Sequence, residues 1–140
     1  MSVDENKAVV RRFLEELVGG GNLTLIDELL APTFTVYHPA SPGPMDREGF
    51  RQLLPAYRSG FPDLSLTVED LMAEGDLVAA RFRFSGTHHG EFMGIPPSGK
   101  HFEATGLGWY LVVDGKIVED RVNEDTFGML RQLGAISQPE

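Results

Sequence analysis

Residues 64–84 read LSLTVEDLMAEGDLVAARFRF. In the second half Arg81 and Arg83 alternate with Ala80, Phe82 and Phe84, a period of two that puts the apolar set on one face of a strand and the arginines on the other. Glu74-Gly75-Asp76 supplies a turn between two such runs. The stretch therefore predicts two antiparallel strands joined by a hairpin. The pattern continues downstream in KHFEATGLGWYLVVDG (100–115) and KIVEDRVNED (116–125), with a second turn at Asp114-Gly115.

Upstream the apolar period is helical. Val9, Val10, Phe13, Leu14 and Leu17 mark one face of a helix that Asp4 is expected to cap and Gly19-Gly20-Gly21 to end. Asn22 introduces a short helix, LTLIDELL, which Pro32 is expected to stop. FTVYH (34–38) reads as a strand running into the loop PASPGP (39–44), and Asp46 starts a further helix, REGFRQLLPAYRSGF, striped by Phe50, Leu53, Leu54 and Tyr57. Pro55 is expected to bend or divide that helix. Asp125 caps a last short helix, TFGMLRQLG, and the tail QPE is expected to fray.

Helices first and antiparallel strands afterwards predict an α+β architecture in one domain over residues 1–140, with helices covering one face of the sheet. A sheet that curls around those helices makes a cone whose apolar interior is a pocket for a small molecule. Twelve basic against twenty-one acidic side chains leave a formal charge of -9. Its field repels phosphate backbones and anionic lipid, so neither nucleic acid nor a membrane surface is an expected partner. With no cysteine there is no disulfide, thiolate metal site or thiol nucleophile. No run nears the roughly 20 apolar residues of a membrane span, and the N-terminal stretch lacks the apolar segment of a secretory signal, so the expected location is cytoplasmic.

Gly94, four residues, then Gly99-Lys100 imitate the start of a phosphate-binding loop. Pro96 and Pro97 have no N–H to offer a phosphate, His101 stands where a Ser or Thr would hold magnesium, and the residues that follow are strand-like. The segment reads instead as a stiffened loop between strands. In full it is GTHHGEFMGIPPSGKHFE (86–103), which closely resembles the G-T-H-x-G-E-F-x-G-I-P-P-[ST]-G-[KR] signature of the SnoaL-like polyketide cyclase and ester cyclase family. Similarity runs in order through about residues 5 to 135: NKAVVRRFLEELVGGGNLTLIDELLAPTF resembles that family's opening helices, and DGKIVEDRVNEDTFGMLRQLGA its closing strand and helix. The resemblance implies an NTF2-like cone, N-terminal helices packed in a strongly curved antiparallel sheet. It also implies a homodimer packed through that sheet.

The family's anthracycline cyclases are implied to close a ring by aldol chemistry without metal or organic cofactor, using one carboxylate on the last long strand. Abstracting a proton beside a carbonyl needs a base, and an apolar pocket raises a carboxylate's pKa toward working pH. Their stretch G-K-I-x-D-H-R-D is matched here by Gly115 to Val122, so Val122 stands at the acid's position. The positions of their supporting Gln and His fall on Gly106 and Gly108. Side chains two apart on a strand share a face, so Asp120 and Glu124 point wherever Val122 points. Asp120 is the first candidate for a relocated acid/base, set against a position at the cone mouth facing solvent or paired with an arginine. His38, where the strand FTVYH meets its loop, is its candidate partner as donor or base.

Tyr37, His88, Phe92, Met93, Trp109 and Tyr110 are further candidates for contact with a ligand, together with Val122 and Glu124. Turn histidines such as His88 commonly bond local backbone. Four histidines without an i,i+4 pair or H-x-H spacing do not predict a metal site. Two functions compete: cofactor-free acid/base catalysis on a small apolar carbonyl or cyclic compound, and simple sequestration of a hydrophobic molecule, which Val122 and the two glycines favour. An epoxide hydrolase would call for an Asp-Arg-Asp arrangement that the sequence does not display, and an adaptor role rests on fold analogy alone.

Overall fold

The computed structural model describes residues 1–136, so the tail QPE lies outside the described residues. Helix α1 (Val3–Arg12) is capped by Ser2 rather than Asp4: the Ser2 hydroxyl accepts the Glu5 N–H at 3.1 Å and Glu5 reaches back to Ser2, a reciprocal capping box. Asp4 falls in the first turn, where its charge complements the helix dipole. The helix widens to π geometry over Phe13–Val18, burying Phe13, Leu14 and Leu17. A 3-10 turn (Leu23–Leu25) and the single turn α2 (Ile26–Leu29) follow, and strand β1 (Leu30–Tyr37) begins before Pro32.

Pro32 therefore lies within a strand instead of stopping a helix. It is tolerated because the short β2 (Met45–Asp46) pairs only with Thr35 and Val36, leaving β1 an edge at Pro32, and because the β1–β6 register shifts there. Helix α3 (Arg47–Gly60), capped by the Asp46 side chain on the Gly49 N–H at 2.8 Å, runs unbroken through Pro55. Pro55 is exposed, so water can take the carbonyl its missing N–H leaves free.

Strands β3 (Ser65–Glu74), β4 (Leu77–Thr87), β5 (His101–Val113) and β6 (Lys116–Glu124) form the antiparallel meander, and α4 (Thr126–Gln132) closes the described chain behind its Asp125 cap. The sheet order is β2-β1-β6-β5-β4-β3. Its one departure from the expected antiparallel sheet is β1, which lies parallel to β6 and makes the sheet mixed. The crossing is long-range, over eighty residues, so no local pattern announces it. The helices pack on the inner face, where Phe13 meets the rings of Phe34, Phe50 and Tyr110 at 5.8–6.5 Å. The outer face carries Arg81 and Arg83 in surface ion pairs with Asp70, Glu69 and Glu103, beside exposed Met72, Leu107 and Trp109.

Candidate active site

Strand β6 sends Asp120, Val122 and Glu124 toward the helices, opposite Tyr110, Gly108 and Gly106 of β5. A bulge decides this. Ile117 is buried, and strict alternation from it would turn Glu119 and Arg121 inward. The register slips by one residue at Val118, between the pairs Val112–Ile117 and Leu111–Glu119, and reverses the phase. Asp120 is consequently 3% exposed, while Arg121 faces solvent and stacks 4.0 Å over the Tyr37 ring.

The enclosed space between sheet and helices is small. Its volume is about 40 Å³, lined by Phe13, Phe50, Tyr57, Tyr110 and other apolar side chains with His38, Asp120 and Glu124. The space is narrow, and the two glycines show what fills it. A Cβ on Gly106 would lie 2.4 Å from the Phe82 ring, and one on Gly108 would lie 2.1 Å from the Tyr110 hydroxyl. Phe82 and Tyr110 fill the space that side chains there would occupy. A larger bowl of about 480 Å³ opens outside, between Tyr37, the Pro39–Pro44 loop and Arg121, and shares His38 and Val122 with the inner cavity.

His38 sits just beyond β1 with its ring set by three neighbours. Its Nδ1 accepts the Ala40 N–H at 3.0 Å, its Nε2 lies 3.3 Å from Glu124 Oε1, and its ring meets Tyr57 edge-on at 5.7 Å. Because Nδ1 is an acceptor, the hydrogen-bond network assigns the neutral ring's proton to Nε2, directed at the Glu124 carboxylate. His38 therefore serves Glu124, not the expected partner Asp120. Tyr57, also beside Glu124, has its phenol pushed up by burial and by that carboxylate.

Among the described residues Asp120 has no arginine partner, and its Oδ1 has no hydrogen bond. Burial, and secondarily the charge of Glu124, raises its pKa well above the ordinary carboxylate range. The Tyr110 hydroxyl and Glu124 Oε2 are likewise buried without partners. Burial first, then Asp120 and Glu124, keeps the Tyr110 phenol well above its usual value. The chamber thus holds two carboxyl groups and a phenol, with three polar atoms uncommitted among the described residues.

The other predicted residues separate. Val122 lines the cavity; Tyr37, Met93 and Trp109 are exposed and do not. Trp109 adjoins the inward Tyr110 and Tyr37 adjoins the inward Val36, and neighbours on a strand face opposite ways. Met93 lies at a loop turn with φ 51°. Phe92 is buried but packs between Tyr57 and Phe61, each ring 4.9 Å away, outside the lining. His88 is fully buried away from the cavity, its Nδ1 accepting the Ser98 N–H at 3.2 Å, and so fastens the Pro96-Pro97 loop. Tyr57 was legible only as a member of the α3 stripe. Among the described residues no group of three His, Asp or Glu side chains is placed to hold a metal ion, and no helix is long and apolar enough to cross a membrane.

Asp120 has a stability signature. Its folded pKa is raised, so above the ordinary carboxylate pKa of about 4 the unfolded chain binds fewer protons than the folded one, and stability falls as pH rises toward the folded value. Each unit of elevation costs about 1.4 kcal/mol once pH exceeds both values. Asp120→Asn should therefore gain stability relative to the parent between about pH 5 and pH 8 in urea unfolding. A difference that does not change with pH would show that Asp120 is not held protonated.

The chain matches the family description "SnoaL-like polyketide cyclase" over residues 8–133. It is 32% identical over 114 residues to nogalonic acid methyl ester cyclase of Streptomyces nogalater, covering 78% of this chain and 83% of that one. Among solved structures, IdmH from Streptomyces antibioticus superposes with a TM-score of 0.81 at 37% identity, covering 92% of this chain and 98% of its own. TsrD from Streptomyces laurentii superposes with a TM-score of 0.85 at 32% identity, covering 97% and 99%.

Proposed function

The chain belongs to the SnoaL-like polyketide cyclase family, and from that premise we propose that it is a cofactor-free acid/base enzyme of the cyclase or isomerase type, acting on a small apolar carbonyl compound. The observation that carries this reading is a buried Asp120, its pKa raised by burial, beside Glu124 on one face of β6. Two neighbouring carboxyl groups, one of them pushed by burial toward its protonated form, are suited to acid and base roles. They flank Val122, the position where the resemblance places the family's acid.

In the proposed reaction Glu124 takes a proton from the carbon beside a carbonyl. The resulting enolate carbon bonds to a second carbonyl carbon as that C=O π bond breaks, and Asp120 gives its proton to the oxygen so released. One proton is removed and one supplied, so the product is an isomer of the substrate. His38 donates from Nε2 to Glu124 and orients it. The bulk of the substrate would lie in the outer bowl, its reactive end passing between His38 and Val122, which line both spaces.

A second reading, a non-catalytic binder of hydrophobic molecules, is favoured by the loss of polar groups at Gly106, Gly108 and Val122. Incubation with a panel of polyketide-like keto esters, followed by mass-neutral product analysis and by deuterium uptake beside the carbonyl, separates the two. Exchange or ring closure above the buffer rate supports the enzyme. Ligands retained with neither would leave only the binder.

A further inference from the structure

We propose that Tyr110 and Asp120 form a paired donor site for a single oxygen that gains negative charge, which makes the inner cavity selective for enolate-like and phenolate-like oxygens. The inference rests on the acid/base reading of the same cavity and adds to it a second donor and the chemical class of group bound.

Tyr110 and Asp120 face each other directly in the β5–β6 register and both point inward. Tyr110 is 0% and Asp120 3% exposed, and among the described residues the Tyr110 hydroxyl and Asp120 Oδ1 each lack a hydrogen-bond partner. Buried polar atoms left unsatisfied are uncommon in folded proteins, and two of them lining one cavity can both bond a group bound there. What that group must be follows from the donors. A phenol and a protonated carboxyl each have one O–H to give, and both keep it because burial disfavours their charged forms. Two fixed donors in a water-poor site favour an acceptor whose charge grows during reaction. Gly108 is part of this arrangement: any larger side chain would occupy the place of the Tyr110 hydroxyl, only 2.1 Å from its Cβ. The third uncommitted atom, Glu124 Oε2, is an acceptor and lies on the same inward face, where it can receive the proton whose loss creates the oxyanion.

Binding of para-substituted phenols of graded acidity tests the pair, measured by calorimetry on the full chain carrying Glu124→Gln, which imitates the base after it has taken its proton. Affinity should rise with phenol acidity, and Tyr110→Phe or Asp120→Leu in that background should each weaken the most acidic phenol roughly 10- to 100-fold, the range for a hydrogen bond to a charged group. Tyr110→Phe should unfold no earlier than its parent, because the hydroxyl has no partner to lose; a merely structural hydroxyl would lower stability instead. Affinity that ignores acidity, no phenol binding at all, or full affinity in Tyr110→Phe would overturn the proposal. Carbonyl turnover by the unmodified chain is read separately. Turnover undiminished in Tyr110→Phe removes the donor pair and leaves the acid/base reading, whereas phenol selectivity without any turnover removes that reading and leaves the donor pair as a binding site.

Discussion

Glu124→Gln should lower turnover of a carbonyl substrate about 100- to 10,000-fold, the range attributed to a positioned general base. Gln keeps the length of the side chain and an oxygen able to accept from His38 Nε2, 3.3 Å away, so the cavity wall stays in place while the proton acceptor is lost. Steady-state kinetics on any compound the panel identifies would measure the loss, chiefly in kcat, since the proton moves in the transition state. The same change removes the charge that helps hold Asp120 protonated. Asp120 should then titrate nearer its usual value, and the pH dependence of stability should flatten. A Glu124→Gln protein working at the parent's rate would move the base elsewhere, and Asp120 would be the next group to test.

The second large effect is on stability. Phe13→Ala should cost about 3–5 kcal/mol, the usual range for deleting a buried aromatic ring, because the cavity left behind collapses only in part. Phe13 is 1% exposed at the start of the π segment and packs against Phe34, Phe50 and Tyr110, so it ties α1 to β1, α3 and β5 at once. At about 2–4 °C per kcal/mol the midpoint should fall by roughly 6–20 °C. Phe13→Leu, which refills most of the volume, should recover more than half of it. Calorimetry showing a fall of only a few degrees for Phe13→Ala would mean that the rings around it close the gap, and with it much of the inner cavity.

Much of the fold was legible in the residues. The change from helical to alternating period at Leu64, the turns at Glu74-Gly75-Asp76 and Asp114-Gly115, and the caps at Asp46 and Asp125 are local signals written by backbone preference and side-chain periodicity. The signature around residues 86–103 added the family. Misreadings arose where a nonlocal partner outweighed local preference. Pro32 entered a strand because one of its sides is unpaired. Ser2 took the cap from Asp4 because Glu5 could answer it, and Pro55 stayed in α3 because its face is wet.

The candidate site divides along the same line. Spacing alone required Asp120, Val122 and Glu124 to share a face, and Trp109 to face away from Tyr110. Which face turned inward depended on the single extra residue at Val118, and a bulge exists only in relation to the strand beside it. The pairing of His38 with Glu124 likewise required β1 to lie alongside β6, a contact between residues 86 apart in the chain. By itself the sequence determined the elements, the family and the carboxylates available. Only the tertiary structure decided that Asp120 loses water and is pushed toward its protonated form, that Phe82 and Tyr110 fill the room two glycines leave, and that the hollow between helices and sheet is narrow. Local preference acts within a few residues, whereas solvation and free volume belong to surfaces that meet only when the chain has folded.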